Sequence, residues 1–211
     1  MKKILIIIAA SLITLTASAQ KMGIIGGLTS STASLKNPDF NSVALYHFGL
    51  VANFPVAEGL CLQPEILYDV KGTSIGDIKS QGLKDSEFNM KAGYVEAGLQ
   101  AQLGIATKIG RIYGFAEPFL GYNVSDKIII TKKDFIDFKD FYGKIEYGLA
   151  AGAGLELSKH FQVSAKYFWN LGKLKDSGNG NTKEAVATDI RETLAGANNF
   201  NGVQLSLAIF F

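Results

Sequence analysis

Residues 200–211 read Phe-Asn-Gly-Val-Gln-Leu-Ser-Leu-Ala-Ile-Phe-Phe and end the chain. Val203, Leu205, Leu207, Ile209 and Phe211 fall on one parity, and Gly202, Gln204, Ser206 and Ala208 on the other. A period of two belongs to a strand, whose successive side chains point to opposite faces. One face is apolar to its last residue and the other is small or polar. A barrel in a membrane uses such a strand to close on itself: the last strand pairs with the first and turns its apolar parity to lipid.

Seven further stretches carry the same alternation. They cover residues 21–31, 43–54, 60–73, 90–105, 111–124, 141–157 and 161–172. In the second, Tyr46, Phe48, Leu50, Ala52 and Phe54 oppose His47, Gly49, Val51 and Asn53. In the third, Leu60, Leu62, Ile66, Tyr68 and Val70 oppose Cys61, Gln63, Glu65, Asp69 and Lys71. Pro64 lies inside that segment and cannot donate to a ladder, so a bulge or a local loss of pairing is expected there. The sixth sets Phe141, Ile145, Tyr147 and Leu149 against Tyr142, Lys144, Glu146 and Gly148. The seventh sets Phe161, Val163, Ala165, Tyr167 and Trp169 against Gln162, Ser164, Lys166 and Asn170. Connections at 32–42, 74–89, 125–140 and 173–199 are long, and those near 55–59, 108–110 and 158–160 are short. Outer-membrane barrels alternate loops in this way, with short turns on the periplasmic side. The expected fold is all-β: an eight-stranded antiparallel up-and-down transmembrane β-barrel with four long outer loops and three short periplasmic turns. Tyr46, Tyr68, Tyr122, Tyr147, Tyr167 and Trp169 fall on the outward parity, as an aromatic girdle requires.

The N-terminus fits export. Lys2 and Lys3 precede an apolar run from Ile4 to Leu15, and Ala17-Ser18-Ala19 has the form of a cleavage site. Residues 1–19 read as a cleaved signal peptide and residues 20–211 as one barrel domain. The run is shorter than the roughly 20 residues a spanning helix needs. Of 21 basic residues, removal of Lys2 and Lys3 leaves 19, against 19 acidic ones. A neutral chain carries no electrostatic footprint for nucleic acid. Hydrophobic residues make up 47% of the sequence, so an exported chain without a spanning helix must place much apolar surface elsewhere. The single cysteine, Cys61, excludes an internal disulfide and a multi-cysteine zinc site.

Candidate chemistry lies on the inward parity. Glu65, Asp69, Lys71, Glu96, Glu117, Lys144, Glu146 and Lys166 are expected to face the lumen. An unpaired charge in a low-dielectric interior is costly, so these groups should pair across the barrel or keep water. They form either a self-satisfied plug or an ion path or ligand site, and eight-stranded interiors are normally filled. His47 and His160 are the available imidazole bases: His47 is read as inward, and His160 as solvated in a short turn beside Lys159. No Gly-x-Ser-x-Gly motif accompanies them, which argues against a hydrolase. Asp126, Asp134, Asp137 and Asp140 are interleaved with Lys127, Lys132, Lys133 and Lys139, which suits a solvated loop better than a calcium site. No cofactor motif is present.

Residues 125–141 hold Ile128, Ile129, Ile130, Phe135, Ile136 and Phe138 in a segment expected to lie outside the membrane. Phe135 and Phe138 are candidate docking residues for a partner protein or ligand. The alternation around Ile128 and Ile130 also suits an extended hairpin. Asn181 with Glu184 three residues on reads as a possible capping box for a short helix ending near Gly196.

The Ala17-Ser18-Ala19-Gln20 site, the opening Met22-Gly23-Ile24-Ile25-Gly26-Gly27-Leu28, the Gly93-Tyr94-Val95-Glu96 stretch and the terminal Phe211 together resemble the outer-membrane β-barrel family of Bacteroidota that includes the PorT-like proteins. Ala97-Gly98 stands where that family usually has a proline. The resemblance covers the whole mature chain and carries no catalytic signature. It implies a barrel in the outer membrane, in contact with its lipids; the residues themselves, with no catalytic motif and apolar side chains in an outer loop, point to a structural or interaction role through outer loops without catalytic activity. It also implies that Leu207, Ile209 and Phe211 form the signal read by the outer-membrane insertion machinery, and the PorT name implies a link to protein secretion. A monomer is expected. The alternatives are a small transport or ligand-binding barrel and a soluble lipocalin-like carrier, whose apolar parity would face inward.

Overall fold

The computed structural model describes residues 21–33, 40–75, 88–130, 134–136, 145–158, 160–172 and 200–211. Nine strands account for nearly all of them: β1 (Lys21–Ala33), β2 (Phe40–Ala57), β3 (Leu60–Ile75), β4 (Phe88–Thr107), β5 (Gly110–Ile130), β6 (Asp134–Ile136), β7 (Ile145–Glu156), β8 (Phe161–Asn170) and β9 (Phe200–Phe210). Every pairing is antiparallel. The sheet runs from β4 through β3, β2, β1, β9, β8 and β7 to β5, and β5 pairs back onto β4 to close it. β6 lies on the same edge of β5 as β7, with Ile128, Ile129 and Ile130 opposite Ile136, Phe135 and Asp134. It is the returning limb of a hairpin, so the closed wall has eight staves. Among the described residues no helix is long and apolar enough to cross a membrane; the crossing elements are strands.

The strands run further than hydropathy suggests. β5 has 21 residues and β4 has 20, whereas about 9–11 cross a bilayer. The excess lies mainly at the outer end, where β3 continues to Ile75, β4 begins at Phe88 and β5 reaches Ile130. The polar residues at the outer ends of β3 and β4 read as loop because they lack alternation, yet once the ladder is started each further backbone pair is satisfied by extending it; at β5 the alternation around Ile128 and Ile130 suits the hairpin that forms. At the periplasmic end β2 likewise continues through Pro55 to Ala57, leaving Glu58-Gly59 as the turn where residues 55–59 were expected. Gly59 sits at φ 76°, a left-handed conformation that glycine adopts without a Cβ clash.

Side chains sort by parity. Ile24, Leu28, Tyr46, Phe48, Leu50, Leu120, Tyr147, Trp169, Leu205 and Leu207 are exposed on the outside, while Thr29, His47, Gln63, Asp69, Glu117 and Gln204 are buried inside. This is the reverse of a soluble carrier. Val70 departs from its predicted exposure: it is buried at the outer end of β3, where it pairs with Gly93 beneath the Tyr68 hydroxyl. Pro64 interrupts pairing on one side only. Its bridge to Leu99 on β4 persists, while the β2–β3 ladder lacks bridges between Val51–Glu65 and Phe54–Leu62. A side-chain bond from Asn53 Nδ2 to Gln63 Oε1, 3.3 Å, spans that gap.

Glycine makes room for the interior. Phe115, Phe119 and Tyr113 on β5 stand opposite Gly152, Gly148 and Gly154 on β7, and Phe168 on β8 stands opposite Gly202 on β9. A Cβ on Gly148 would come within 2.5 Å of the Phe119 ring, and one on Gly152 within 2.7 Å of the Phe115 ring. Glu65 and Glu146 likewise face Gly98 and Gly121. A small barrel has too little radius for two large residues abreast, so bulk on one strand is matched by its absence on the next.

Candidate functional site

Five carboxylates and two lysines meet in the lumen. Lys71, on β3, places Nζ 2.7 Å from Glu96 on β4, 2.7 Å from Glu146 on β7 and 3.4 Å from Asp69. The rings of Tyr94, Phe119 and Phe168 surround the same ammonium, with centroids 5.5, 5.0 and 4.8 Å away. Lys166, on β8, bonds Glu65 on β3 at 2.7 Å and both oxygens of Glu117 on β5 at 2.7 and 2.9 Å. Each lysine thus joins strands on opposite walls.

The formal excess of negative charge is met by neutral donors. Thr29 Oγ1 and Gln204 Nε2 donate to Asp69 at 2.6 and 2.8 Å, Gln100 donates to Glu65 at 2.9 Å, and Asn170 donates to Glu146 at 2.6 Å. Among the described residues, the buried side-chain atoms without a partner are Tyr113 Oη, Gln162 Nε2 and Gln204 Oε1; none is a carboxylate or an ammonium. All seven charged residues are at most 5% exposed.

The polar network continues to the periplasmic rim. Gln102 donates to Gln100 at 3.0 Å and accepts from Arg111 at 3.0 Å. Arg111 also donates to the Gly59 carbonyl at 3.2 Å, and Glu156 takes Lys21 at 2.6 Å. An apolar group beside it, Ile25, Val51, Leu67, Ala208 and Phe210, fills the β1–β3 and β9 side of the lumen. Chemically the arrangement is a filled, cross-braced interior.

Of the eight charged residues assigned to the lumen from sequence, Glu65, Asp69, Lys71, Glu96, Glu117, Glu146 and Lys166 come together here, and Lys144 lies outside the described residues. Phe135 is in β6, Phe138 lies outside the described residues, and so do the proposed helix after Asn181 and residues 1–20. Leu207 and Ile209 face outward, and Phe211 is exposed at the end of the wall. His160 is exposed as expected, but it is also tied down: its Nδ1 lies 3.0 Å from the Phe210 carbonyl, and Phe210 N donates to the His160 carbonyl at 2.8 Å.

A second group was not foreseen in full. His47 Nε2 lies 2.8 Å from Ser206 Oγ, and its Nδ1 lies 3.0 Å from Thr29 Oγ1. Thr29 gives its proton to Asp69, so its oxygen accepts from Nδ1–H, and Nε2 then accepts from Ser206. The order of serine, histidine and acid is that of a nucleophile row with a threonine interposed, yet all four side chains are buried, Ser206 at 6% exposure. The sequence signal was the small or polar inward parity of β1 and β9, which flags Thr29 and Ser206 only once the closing pair is in register.

A search of curated proteins found no significant match. Among solved structures the chain is similar to Ail, the attachment invasion locus protein of Yersinia pestis, with 14% identity over 90% of this chain and 98% of that one and a TM-score of 0.42. It is also similar to Neisserial surface protein A, with 14% identity over 90% and 95% of the two chains and a TM-score of 0.44. Residues 18–176, well over half of the sequence, match the family described as outer membrane protein beta-barrel domain. The chain belongs to that family, and it is a protein of the outer membrane.

Proposed function

We propose that the protein is a non-catalytic outer-membrane pedestal that presents its outer strands and loops to a partner. The observation that carries this reading is the hairpin of β5 and β6. Its pairing runs on to Ile130, well past Tyr122, the last aromatic of the outward belt on that strand. The occupied lumen supports it: among the described residues the centre of the barrel holds buried, mutually bonded side chains. The chain works as a monomer surrounded by outer-membrane lipid, after cleavage of residues 1–19 and insertion through the signal at Leu207, Ile209 and Phe211.

Replacement of residues 126–140 by a short Gly-Ser turn tests this reading. The variant should still show the heat-modifiable migration of a folded barrel and should lose the partner that co-purifies with the full chain. Retention of that partner overturns the assignment to the hairpin. Planar-bilayer recordings should show no stable channels of uniform size, and such channels would favour the transport alternative. The finer kinship, with the PorT-like branch, rests on the Gly93-Tyr94-Val95-Glu96 stretch and the chain ends. It implies an accessory role in protein secretion, which a deletion strain with normal secretion would refute.

A further inference from the structure

We propose that His47 is a latch that holds the seam between the first and last strands closed. The seam is the β1–β9 pair, where the last strand of the wall meets the first and neither is left as an edge. Gly27 on β1 sits in the middle of one row, paired with His47 on β2 and with Ser206 on β9. Two strand spacings, about 10 Å, separate β2 from β9. The imidazole covers that distance within the row, passing Gly27, where any Cβ would run into the β9 backbone at Leu205 and Ser206. Its Nε2 reaches Ser206 at 2.8 Å, and its Nδ1 reaches Thr29 at 3.0 Å. One ring therefore grips both sides of the seam from inside the lumen.

The grip is anchored further back. Thr29 donates to Asp69 at 2.6 Å and Gln204 donates to the other oxygen of Asp69 at 2.8 Å, so a residue of β3 holds β1 and β9 together as well. Toward the outer end Ser31 Oγ donates to the Gly72 carbonyl at 2.9 Å and accepts from Gly72 N at 2.8 Å. This occurs beside the irregularity in the β2–β3 register between Ser42 and His47. β1 is thereby clasped to β3 across β2. A backbone ladder holds every pair of neighbouring staves, β1–β9 included, and this row adds a side-chain clasp where the last strand meets the first. In lipid an opened seam exposes unpaired backbone groups, so an internal clasp lowers the chance that the two strands part.

Amide hydrogen exchange of the full barrel in lipid vesicles tests the latch. Ser206→Ala and His47→Leu should raise exchange roughly tenfold at 24–30 and 202–208, consistent with loss of one buried hydrogen bond, and leave β5 and β7 unchanged. Ser164→Ala is the matched control: Ser164 pairs with Ser206 on the neighbouring strand, and its removal should leave the seam protected. Heat-modifiable migration reports whether each variant is folded, and Ser206→Ala decides alone if His47→Leu does not insert. Unchanged seam exchange in Ser206→Ala, an equal rise in all strands, or the same rise in Ser164→Ala would each overturn the proposal.

Discussion

Replacing Lys71 with Met removes one ammonium and leaves Glu96, Glu146 and Asp69 facing each other. The wild-type Nζ is 2.7, 2.7 and 3.4 Å from their oxygens and its side chain is 1% exposed, so water does not screen the loss. Breaking a buried pair by deleting one partner costs about 3–5 kcal/mol, because the other charge stays behind without compensation. Here three carboxylates stay behind, which places the expectation at the upper end of that range. Met suits the test because a thioether keeps favourable contact with the rings of Tyr94, Phe119 and Phe168. Packing is then largely conserved, and the measured change reports charge. Lys21→Met is the comparison: its 2.6 Å pair with Glu156 is partly exposed at the rim and should be worth roughly 0–1 kcal/mol. Reversible urea unfolding of the barrel in vesicles, followed by Trp169 fluorescence and gel migration, measures both. Adding Glu146→Gln to Lys71→Met should recover part of the loss. A Lys71→Met change below about 1 kcal/mol, equal to that of Lys21→Met, would refute the view that the lumen is held by its charges.

Three further outcomes follow from the wall. Gly148→Ala would press a Cβ against the Phe119 ring and the Trp169 carbonyl and should destabilise by about 1–3 kcal/mol, whereas Gly114→Ala, with open space outside β5, should stay within about 0.5 kcal/mol; the same titration compares them. Leu207→Arg puts a charge on the lipid face of the closing strand and should cost roughly 2–4 kcal/mol, a value that collapses toward zero if residue 207 lies near the interface instead of mid-membrane. Mass spectrometry of protein recovered from outer membranes should give an N-terminus at Gln20, and an intact Met1 would refute cleavage.

The wall was legible because lipid and lumen impose opposite demands on alternate residues. Every strand that crosses must write that alternation into its sequence, and β8, with Phe161, Val163, Ala165, Tyr167 and Trp169 outside, writes it without a break. Outside the bilayer the demand disappears. The outer ends of β3 and β4 alternate poorly and read as loop, though their backbones remain paired, whereas the alternation around Ile128 and Ile130 already suits the hairpin that β5 and β6 form. Parity also gave the inward charges on β3, β4, β5, β7 and β8. It could not say that Lys71 and Lys166 divide the acids between them, since partner choice depends on the stagger between strands and not on any one strand.

The same stagger explains why Thr29 and Ser206 carried no signal of their own. A hydroxyl on an inward parity is an ordinary way to fill a narrow lumen, and nothing in β9 alone distinguishes Ser206 from Ser164 opposite it. What distinguishes it is its row: across Gly27, one strand further on, it stands in line with His47 and takes its Nε2. The inward glycines are thus the half of the pattern that apolar periodicity passes over. Several mark a place where a neighbour's side chain lies across the strand: Phe119 over Gly148, Phe115 over Gly152 and Phe168 over Gly202. In a barrel this small the interior is specified by pairs of large and absent side chains on adjacent strands. A reading that scores bulk and absence together, along the register and not along the chain, would find the occupants of the lumen as readily as alternation finds its wall.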